Sequence, residues 1–500
     1  MIYYNNIPHD QRKFIIPAHM FIKDKFKANG TFDKTKARLV VNGDRKHPDT
    51  IGETFSPTVN PISVFTQLNL AACADAELAA YDIKGAFLLT PVTDGKLIYL
   101  RIPPEVAEHW IRLYPQRAKY LAKDGCLYAQ LGKYMYGLPE ASHEFNVFLD
   151  GKLINMGFKH TRADSCLYTK RTKDGMIIVS THVDDLLLSA PNLTWRKWFE
   201  DELEKQFEIV KQYGNLSYLG MNIEYDRSNK KIRVSQSGAV QEIVAKHGLD
   251  SLRKYPKTPA QMETLLDAHE DSPKCNKTEF LSLVMSLMYI ARLTRPDILM
   301  PVTALSTRNA DPTDADFANL LRIVRYLAGT TDIGLEFDGT VAVSPAIYAD
   351  ASHNIYPDAR GHAGMIITLG SAPILSRSFK IKYVSRSSSE TELYALEEAT
   401  TYSGWLKMLL NELGAEYSEP VPTYQDNKSA IIIASQGGHF KRLKHLLVRD
   451  VFVKERIEHG DIMLRYLSTD TMPADMLTKA LTASKLEQNM TFVGVRQIHA

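Results

Sequence analysis

The stretch Met176-Ile-Ile-Val-Ser-Thr-His-Val-Asp-Asp-Leu-Leu-Leu-Ser189 carries the pattern that decides the fold of this chain. Its apolar runs predict a strand over residues 176–183 and a returning strand over residues 186–189. A tight turn at Asp184-Asp185 joins them, which places two adjacent carboxylates at the tip of a β-hairpin. Aspartate is also a common turn residue, because its side chain hydrogen-bonds to nearby backbone. The pair by itself therefore also fits a purely structural turn.

A third acidic residue upstream changes this interpretation. Asp82 ends the short apolar run that begins at Ala79, and a segment of small residues and Phe87 follows it. If the strand that ends at Asp82 lies beside the hairpin, three carboxylates converge, and we call Asp82, Asp184 and Asp185 the first acidic cluster. Such carboxylates repel one another unless a cation neutralises them, and their hard oxygens favour Mg²⁺ or Mn²⁺. A pair of these ions suits in-line phosphoryl transfer.

Four more acidic residues occur at predicted ends or starts of elements in the C-terminal third. Asp350 ends a strand, and Glu392 lies early on a long helix. Asp426 follows another strand, and Asp475 opens the last predicted helix. We expect these residues, the second acidic cluster, to meet at one edge of a sheet. Each of them singly also fits a solvated residue or a helix start that the helix dipole favours.

The long helix distinguishes Glu392 from its neighbour Glu390. Glu392 stands beside the edge of an apolar stripe, so its carboxylate can reach the sheet while the helix stays packed; the stripe consists of Leu393, Leu396, Leu406, Leu410 and Leu413. Glu390 instead follows Ser387 at the spacing of a capping box. We therefore assign Glu392 to the second acidic cluster.

Composition indicates an ordinary globular chain of several domains. The 500 residues are 44% hydrophobic and 24% charged, and 60 Lys and Arg against 58 Asp and Glu leave a net charge of +2. Nucleic-acid binding would therefore have to come from local basic patches. The cysteines lack the C-x-x-C spacing of zinc or redox sites. No apolar stretch reaches the length of about 20 residues that crosses a membrane. Residues 1–13 lack the apolar core of a secretory signal. We predict a cytoplasmic or nuclear protein with no membrane partner.

The pattern along the chain predicts three parts. Residues 1–225 mix short β-rich runs with helical segments, as an α/β domain does. Residues 226–335 are dominated by apolar residues at three- and four-residue spacing, which is typical of packed helices. Strand patterns return over residues 340–500, again alternating with helices.

Short motifs occur in a fixed order along nearly the whole chain. They are Lys36-Ala-Arg-Leu-Val-Val-Asn-Gly43, Glu53-Thr-Phe-Ser-Pro-Thr-Val59, Tyr81-Asp-Ile-Lys-Gly-Ala-Phe-Leu88, Tyr136-Gly-Leu138, His182-Val-Asp-Asp185, Tyr218-Leu-Gly220, Ser286-Leu-Met-Tyr-Ile-Ala291, Thr294-Arg-Pro-Asp-Ile298 and Arg325-Tyr-Leu-Ala-Gly-Thr330. Each string is unspecific alone. The ordered set resembles the reverse transcriptase and ribonuclease H region of copia-type LTR retrotransposon polyproteins.

This resemblance implies a mixed α/β (α+β) fold with a palm-and-fingers polymerase domain over 1–225, a helical thumb or connection over 226–335, and a ribonuclease H-like domain over 340–500. It implies an RNA-directed DNA polymerase that also cleaves the RNA strand of an RNA–DNA hybrid. The first and second acidic clusters would each hold two Mg²⁺ or Mn²⁺ ions as catalytic metal ligands. The implied partners are an RNA template, a DNA primer, RNA–DNA hybrid, dNTPs and an integrase from the same polyprotein.

The resemblance also implies roles for single residues. Lys36 and Arg38 would bind the triphosphate from the fingers, although one strand face of solvated charges explains them equally well. Phe87 would exclude a ribose 2′-hydroxyl, or it is simply core. Tyr218 and Gly220 would form the primer grip, although a glycine there also fits a strand end. His445 would lie near the nuclease site, or face phosphates on a basic helix.

One position departs from the family pattern. The family usually carries Lys-Gln-Ala-Pro after Tyr-Gly-Leu, whereas this chain has Pro139-Glu-Ala-Ser142. Glu140 thus replaces the Gln that lies against the incoming nucleotide, and we expect its negative charge to weaken polymerisation. A truncated or decayed copy that retains only nucleic-acid binding, or hybrid-specific RNA cleavage, is therefore the alternative function.

Overall fold

The computed structural model of the chain describes residues 1–26, 32–92, 95–251, 253–267, 269, 271–436 and 447–498. These residues form four β sheets with helices packed around them. The expected mixed α/β fold is therefore confirmed.

The N-terminal sheet has the strand order Phe32–Val41, Ile16–Phe26, Tyr99–Ile102, Leu127–Gln130. Ile16–Phe26 pairs antiparallel with Phe32–Val41 over most of its length and parallel with Tyr99–Ile102. The helix Pro104–Leu113 packs on the sheet through Ala107, which lies in a small core with Ile102 and Leu127.

The hairpin sheet contains residues 176–189, the stretch with the two adjacent aspartates. Its antiparallel strands follow the order Ile209–Gln212, Glu77–Ile83, Asp185–Ala190, Gly175–His182, Leu167–Thr172, Lys159–His160. Leu186 and Leu188 face a core shared with helices Ala141–Asn155 and Leu193–Glu204, whereas Leu187 faces the core of helix Pro61–Cys73. Both faces of the sheet are covered, which explains the uninterrupted apolar run in this strand.

The junction sheet joins distant parts of the chain. Its antiparallel strands follow the order Asn215–Tyr218, Met221–Asp226, Lys231–Ser235, Ile333–Asp338, Val495–Gln497. These strands come from all three predicted parts, and the proposed boundary at residue 225 falls inside a hairpin. The three-part division stays a prediction, and this sheet ties the parts together.

The predicted helical part consists of the helices Ser237–Lys246, Met262–Leu265, Lys277–Leu293, Leu299–Ser306 and Asp314–Ala328. A capping box between Thr313 and Asp316 begins the last of them. Arg295 is buried and forms a two-pronged ion pair with Asp297, at 3.0 and 2.8 Å. Its guanidinium also donates to both oxygens of Thr330. The motifs over residues 294–298 and 325–330 are therefore two halves of one buried polar contact.

The C-terminal sheet has the order Ala372–Lys380, His362–Leu369, Pro345–Ser352, Val421–Gln425, Ile462–Tyr466. The first three strands are antiparallel, and the last two run parallel to Pro345–Ser352. Tyr348 pairs with Tyr424 in parallel register, which brings Asp350 level with Asp426. Asp350 lies inside its strand, which continues to Ser352, so our prediction that it ends the strand was wrong. The helices of this part are Ser388–Thr400, Tyr402–Glu412, Lys428–Gln436, Leu447–Glu458 and Ala483–Phe492.

Several elements differ from the sequence prediction. The long helix is interrupted at Thr401, although all five leucines of its stripe are buried as expected. Asp475 lies in the short 3₁₀ helix Pro473–Leu477, and neither Ala483–Phe492 nor Val495–Gln497 was predicted. In the N-terminal part, residues Ala86–Leu89 form a single turn of α-helix that ends at Thr90. Within the described part of the chain, no helix combines the length and apolar character that a membrane span requires.

Candidate active sites

The hairpin that carries Asp184 and Asp185 forms, but its turn lies one residue earlier than predicted. His182 pairs with Asp185, which leaves Val183 and Asp184 as the turn residues. Asp185 begins the returning strand, so our assignment of both aspartates to the turn was wrong. Val183 has φ +58°, a conformation that is strongly unfavourable for a β-branched residue. The tip of the hairpin therefore holds backbone strain beside the carboxylates.

The first acidic cluster lies at one end of the hairpin sheet. Asp82 pairs with Asp185 across two antiparallel strands, and Asp184 is adjacent in the turn. Burial, together with the charges of Asp184 and Asp82, raises the pKa of Asp185 to about 6. Burial and the neighbouring Asp82 also raise the pKa of Asp184. These half-buried oxygens fit a divalent cation, because it would relieve the destabilisation of their charged forms.

Tyr136 contacts two of the predicted substrate-binding residues, Arg38 and Phe87. The Arg38 guanidinium lies 5.1 Å from the centre of the Tyr136 ring, within cation–π range, and Phe87 meets the same ring edge-on at 5.0 Å. Burial, and then the charge of Asp184, raises the pKa of Tyr136, so this ring stands beside the first acidic cluster. Tyr136 belongs to the Tyr136-Gly-Leu138 motif, but the motif alone indicates no role for its ring. Lys36 lies two residues before Arg38 on the same strand and is half-buried.

Phe87 partly satisfies both interpretations offered for it. Its ring is half-buried and also meets Phe145 of the helix Ala141–Asn155 at 6.2 Å. One side of the ring therefore belongs to the core, while its contact with Tyr136 lies toward the first acidic cluster.

Glu140 does not stand as an uncompensated charge. Its carboxylate forms an ion pair with Lys46, and only 1% and 4% of the two side chains are exposed. The loop that carries Lys46 packs tightly on the Tyr136-Gly137 turn: Val41 donates to the Tyr136 carbonyl, and a side chain on Gly137 would overlap the Val41 carbonyl. Our expectation of an extra negative charge at the nucleotide site is thus corrected, since Lys46 neutralises it within the protein.

The predicted primer grip is a turn, with Tyr218 behind it. Tyr218 is 1% exposed and lies in the main core, so its side chain supports the turn and does not face solvent. Leu219 and Gly220 form the turn with φ of +51° and +67°. The hydroxyl of Tyr289, on helix Lys277–Leu293, donates a 2.6 Å hydrogen bond to the Leu219 carbonyl. We expected Tyr218 to contact the primer, but its side chain is buried. Gly220 is the exposed residue of the two.

A cavity of about 940 Å³ extends from the first acidic cluster toward the C-terminal part. Its lining includes His182, Asp185 and Leu219 from the N-terminal part and Arg377 and Tyr402 from the C-terminal part. Arg377 donates to the Tyr402 hydroxyl at 2.9 Å, which holds a cation in the cavity wall. The cavity therefore connects the hairpin sheet to the edge strand of the C-terminal sheet.

The second acidic cluster is assembled from three elements of the C-terminal sheet and its helices. Asp350, Glu392 and Asp426 each offer a carboxylate oxygen, and these oxygens lie within 4.8 Å of one another. Burial raises the pKa of all three, and the neighbouring carboxylates raise it further. Hard oxygen donors in this arrangement fit Mg²⁺ or Mn²⁺. Among the described residues, this is the only acidic group that brings three ligand atoms so close.

Asp475 belongs to the same region but has a different neighbour. Its Oδ1 atom is 2.6 Å from the ammonium nitrogen of Lys479, which also lies 3.3 Å from Asp350 Oδ2. Thr478 donates a hydrogen bond to Asp350 from the same turn. Neither Thr478 nor Lys479 was predicted from the sequence, although the i to i+4 spacing of Asp475 and Lys479 is typical of an ion pair.

Glu390 and His445 complete the predicted set. The backbone of Glu390 donates to the Ser387 side chain, and the Glu390 carboxylate accepts from the backbone of Arg386. Glu390 therefore caps the helix, and Glu392 faces Asp350, as the choice between them predicted. His445 lies outside the described residues.

A family model described as Reverse transcriptase (RNA-dependent DNA polymerase) matches residues 4–260, just over half of the chain. The chain belongs to the reverse transcriptase family. The matched region contains the first acidic cluster, Arg38, Tyr136 and the Leu219-Gly220 turn, and it ends before the second acidic cluster.

Curated relatives of this chain are transposon polyproteins. It is 29% identical over 486 residues to the Retrovirus-related Pol polyprotein from transposon RE2 of Arabidopsis thaliana, which covers 97% of the chain and 32% of the relative. The corresponding protein from transposon TNT 1-94 of Nicotiana tabacum is 30% identical, with 92% and 34% covered. The Transposon Ty1-GR1 Gag-Pol polyprotein of Saccharomyces cerevisiae is 25% identical, with 96% and 27% covered. The chain thus spans about a third of these relatives, and its resemblance to copia-type polyproteins is confirmed.

Solved structures that are similar to this chain have low sequence identity to it and low TM-scores. A foamy viral protease-reverse transcriptase in complex with double-stranded DNA is 12% identical with a TM-score of 0.25, and the match covers 92% of this chain and 66% of that chain. The N-terminal RNase H domain of a Mycobacterium tuberculosis protein is 14% identical with a TM-score of 0.22, covering 30% and 96%.

Proposed function

We propose that this chain is an RNA-directed DNA polymerase whose C-terminal part, over residues 340–500, is a ribonuclease H. The observation that carries the proposal is the pairing of Asp82 with Asp185 beside Asp184, within the region that matches the reverse transcriptase family. Residues 1–225 would then be fingers and palm, and residues 226–335 the thumb or connection.

The polymerase residues have separate tasks in this proposal. The first acidic cluster would hold two Mg²⁺ ions, which supply activation of the primer 3′-hydroxyl and stabilisation of the leaving pyrophosphate. Arg38, held over Tyr136, presents an exposed guanidinium to the triphosphate of the dNTP. Phe87 lies beside Tyr136, where an aromatic ring would crowd a 2′-hydroxyl. The strained Val183 turn keeps Asp184 and Asp185 directed into this space.

The nuclease residues act on the RNA strand of the hybrid left by synthesis. Asp350, Glu392 and Asp426 would hold a cation through closely spaced oxygens, and that cation supplies an activated water for attack on the RNA phosphodiester. Asp475 completes the set through its contact with Lys479. The duplex would lie along the cavity that Asp185 and Arg377 both line, where the Arg377 guanidinium could contact a backbone phosphate.

The test is extension of a labelled DNA primer on an RNA template with dNTPs and Mg²⁺, with the template followed in the same reaction. Wild type should extend the primer and degrade the template, and chelation of Mg²⁺ should stop both. Asp185→Asn should abolish extension alone, and Asp426→Asn should abolish cleavage alone. Glu390→Gln is a matched control for Asp426→Asn, since Glu390 caps a helix outside the carboxylate group. Extension that survives Asp185→Asn would contradict the proposal.

A second candidate is a ribonuclease H with an inactive polymerase. One observation favours it, since the second acidic cluster brings three ligand oxygens within 4.8 Å. Cleavage of a preformed hybrid without primer extension, lost in Asp426→Asn, would support this candidate. A chain that binds hybrid without extension or cleavage would be the decayed copy.

A further inference from the structure

Lys479 places a positive charge inside the second acidic cluster. Its ammonium nitrogen lies 2.6 Å from Asp475 Oδ1 and 3.3 Å from Asp350 Oδ2, so one cation bridges two carboxylates. Asp350 and Asp475 are almost fully buried, whereas 35% of the Lys479 side chain is exposed. The lysine therefore enters the cluster from the solvent side.

Asp350 divides the cluster into two sides. On one side its oxygens approach Glu392 and Asp426, and the three residues leave room for a cation. On the other side the Lys479 nitrogen contacts both Asp350 and Asp475 at hydrogen-bond distance. An ion bridging those carboxylates would need oxygens at about 2.0–2.6 Å, which is the space that the ammonium already fills.

We propose that Lys479 occupies the second cation position of the nuclease centre, so that a divalent ion bridges Asp350 and Asp475 only when Lys479 swings into solvent. The Lys479 nitrogen forms its ion pairs with Asp350 and Asp475, which leaves the position among Asp350, Glu392 and Asp426 for the other ion. This inference rests on the proposed nuclease function, and it adds that the two ion positions differ in affinity because one of them competes with a side chain. A lysine suits this role, since its flexible stem lets the charged end move a long way at little cost.

Binding of Mn²⁺ to the full chain, counted by electron paramagnetic resonance, tests the competition directly. Lys479→Met should bind one more Mn²⁺, or bind its weakest Mn²⁺ at least about tenfold more tightly, because a competing charge is removed. Lys479→Arg keeps the charge and should bind Mn²⁺ as wild type does. Lys380→Met is the matched control, since Lys380 also pairs with an aspartate, Asp358, and lies away from the cluster. Ions at the first acidic cluster are common to all four proteins.

Two results of that titration would overturn the proposal. Unchanged Mn²⁺ binding in Lys479→Met would mean that the lysine does not compete with an ion. Weaker binding would mean that it holds the carboxylates in place for the ions.

A second measurement uses the wild-type chain and needs no folded variant. Acetylation of lysines, read by mass spectrometry, should modify Lys479 several-fold faster with saturating Mn²⁺, while Lys380 stays unchanged. Equal or slower modification of Lys479 would overturn the proposal. Cleavage of a preformed hybrid by the same preparation reports the nuclease function separately. A failure of the Lys479 proposal can therefore be distinguished from a failure of the proposed nuclease function.

Discussion

Replacing Glu140 should destabilise this chain, although glutamine is the residue that its family usually carries there. Glu140→Gln leaves Lys46 as a buried ammonium without its ion-pair partner. Sequence comparison alone predicts the opposite, namely that removing an extra negative charge beside the nucleotide site restores synthesis. Measurements on Glu140→Gln therefore distinguish the prediction from sequence comparison and the prediction from the buried ion pair, because the two have opposite signs.

The burial of the Lys46–Glu140 ion pair determines how much stability Glu140→Gln should lose. Only 4% of the Lys46 side chain and 1% of the Glu140 side chain are exposed, so water cannot solvate either charge after its partner is lost. Removing one member of such a pair costs about 3–5 kcal/mol. Among the described contacts, Glu140 Oε2 has no hydrogen-bond partner, so the intact pair is not an optimal one. The neutral double variant Lys46→Met with Glu140→Gln should therefore recover most of the lost stability.

Native-state hydrogen exchange suits this test, because it reports the opening of a local segment within a chain of several domains. Peptides that contain Lys46 and Glu140 should exchange between about a hundredfold and several thousandfold faster in Glu140→Gln, which corresponds to the same loss of 3–5 kcal/mol. Glu144→Gln is the matched control. Glu144 pairs with Lys96 at 2.7 Å, but 43% of that lysine is exposed, so its loss should cost less than about 1 kcal/mol.

Primer extension is measured on the same proteins. Glu140→Gln should extend more slowly than wild type, and the double variant should approach the wild-type rate. If Glu140→Gln exchanges like wild type and extends faster, the ion pair is unimportant and Glu140 acts as a free charge at the nucleotide site.

Three further predictions concern other contacts in the chain. Gly220→Ala should destabilise the chain by about 1–3 kcal/mol in thermal unfolding and raise KM for primer, because its φ is +67° and its new Cβ would overlap the Tyr289 hydroxyl. The loss should shrink in a Tyr289→Phe background, and an undiminished loss would refute the crowding argument. Burial lowers the pKa of His362 from 6.5 to about 3, so between these values the unfolded state binds the extra proton and stability falls as pH falls. The free energy of urea unfolding should drop by about 2 kcal/mol between pH 7 and pH 5, and this drop should be absent from His362→Gln; an equal drop in the variant would assign it to other groups. Arg295→Lys should lower stability by about 3 kcal/mol in urea unfolding, since lysine cannot make the two-pronged bond to Asp297; a wild-type midpoint would show that charge alone suffices.

Where local chemistry decides an element, the sequence predicted it closely. The helix Ser388–Thr400 begins after Ser387, as the capping spacing of Ser387 and Glu390 indicated, and Leu393 and Leu396 of its apolar stripe are buried as expected. The hairpin of the first acidic cluster was also predicted, but its turn was misplaced by one residue. Side chains alternate along strands, and both faces of this sheet are buried, so the apolar pattern did not specify the register.

The sequence by itself determined the family, the order of the elements and the carboxylates that stand at their ends, because these depend on motifs and on patterns within a few residues. Only the tertiary structure decided which distant charges meet. Lys46 and Glu140 are 94 residues apart, and Lys479 and Asp350 are 129 apart. Neither contact has a local pattern, since each exists only after separate segments have packed and excluded water. Burial then turns such contacts from weak surface ion pairs into interactions that control charge at both proposed active sites.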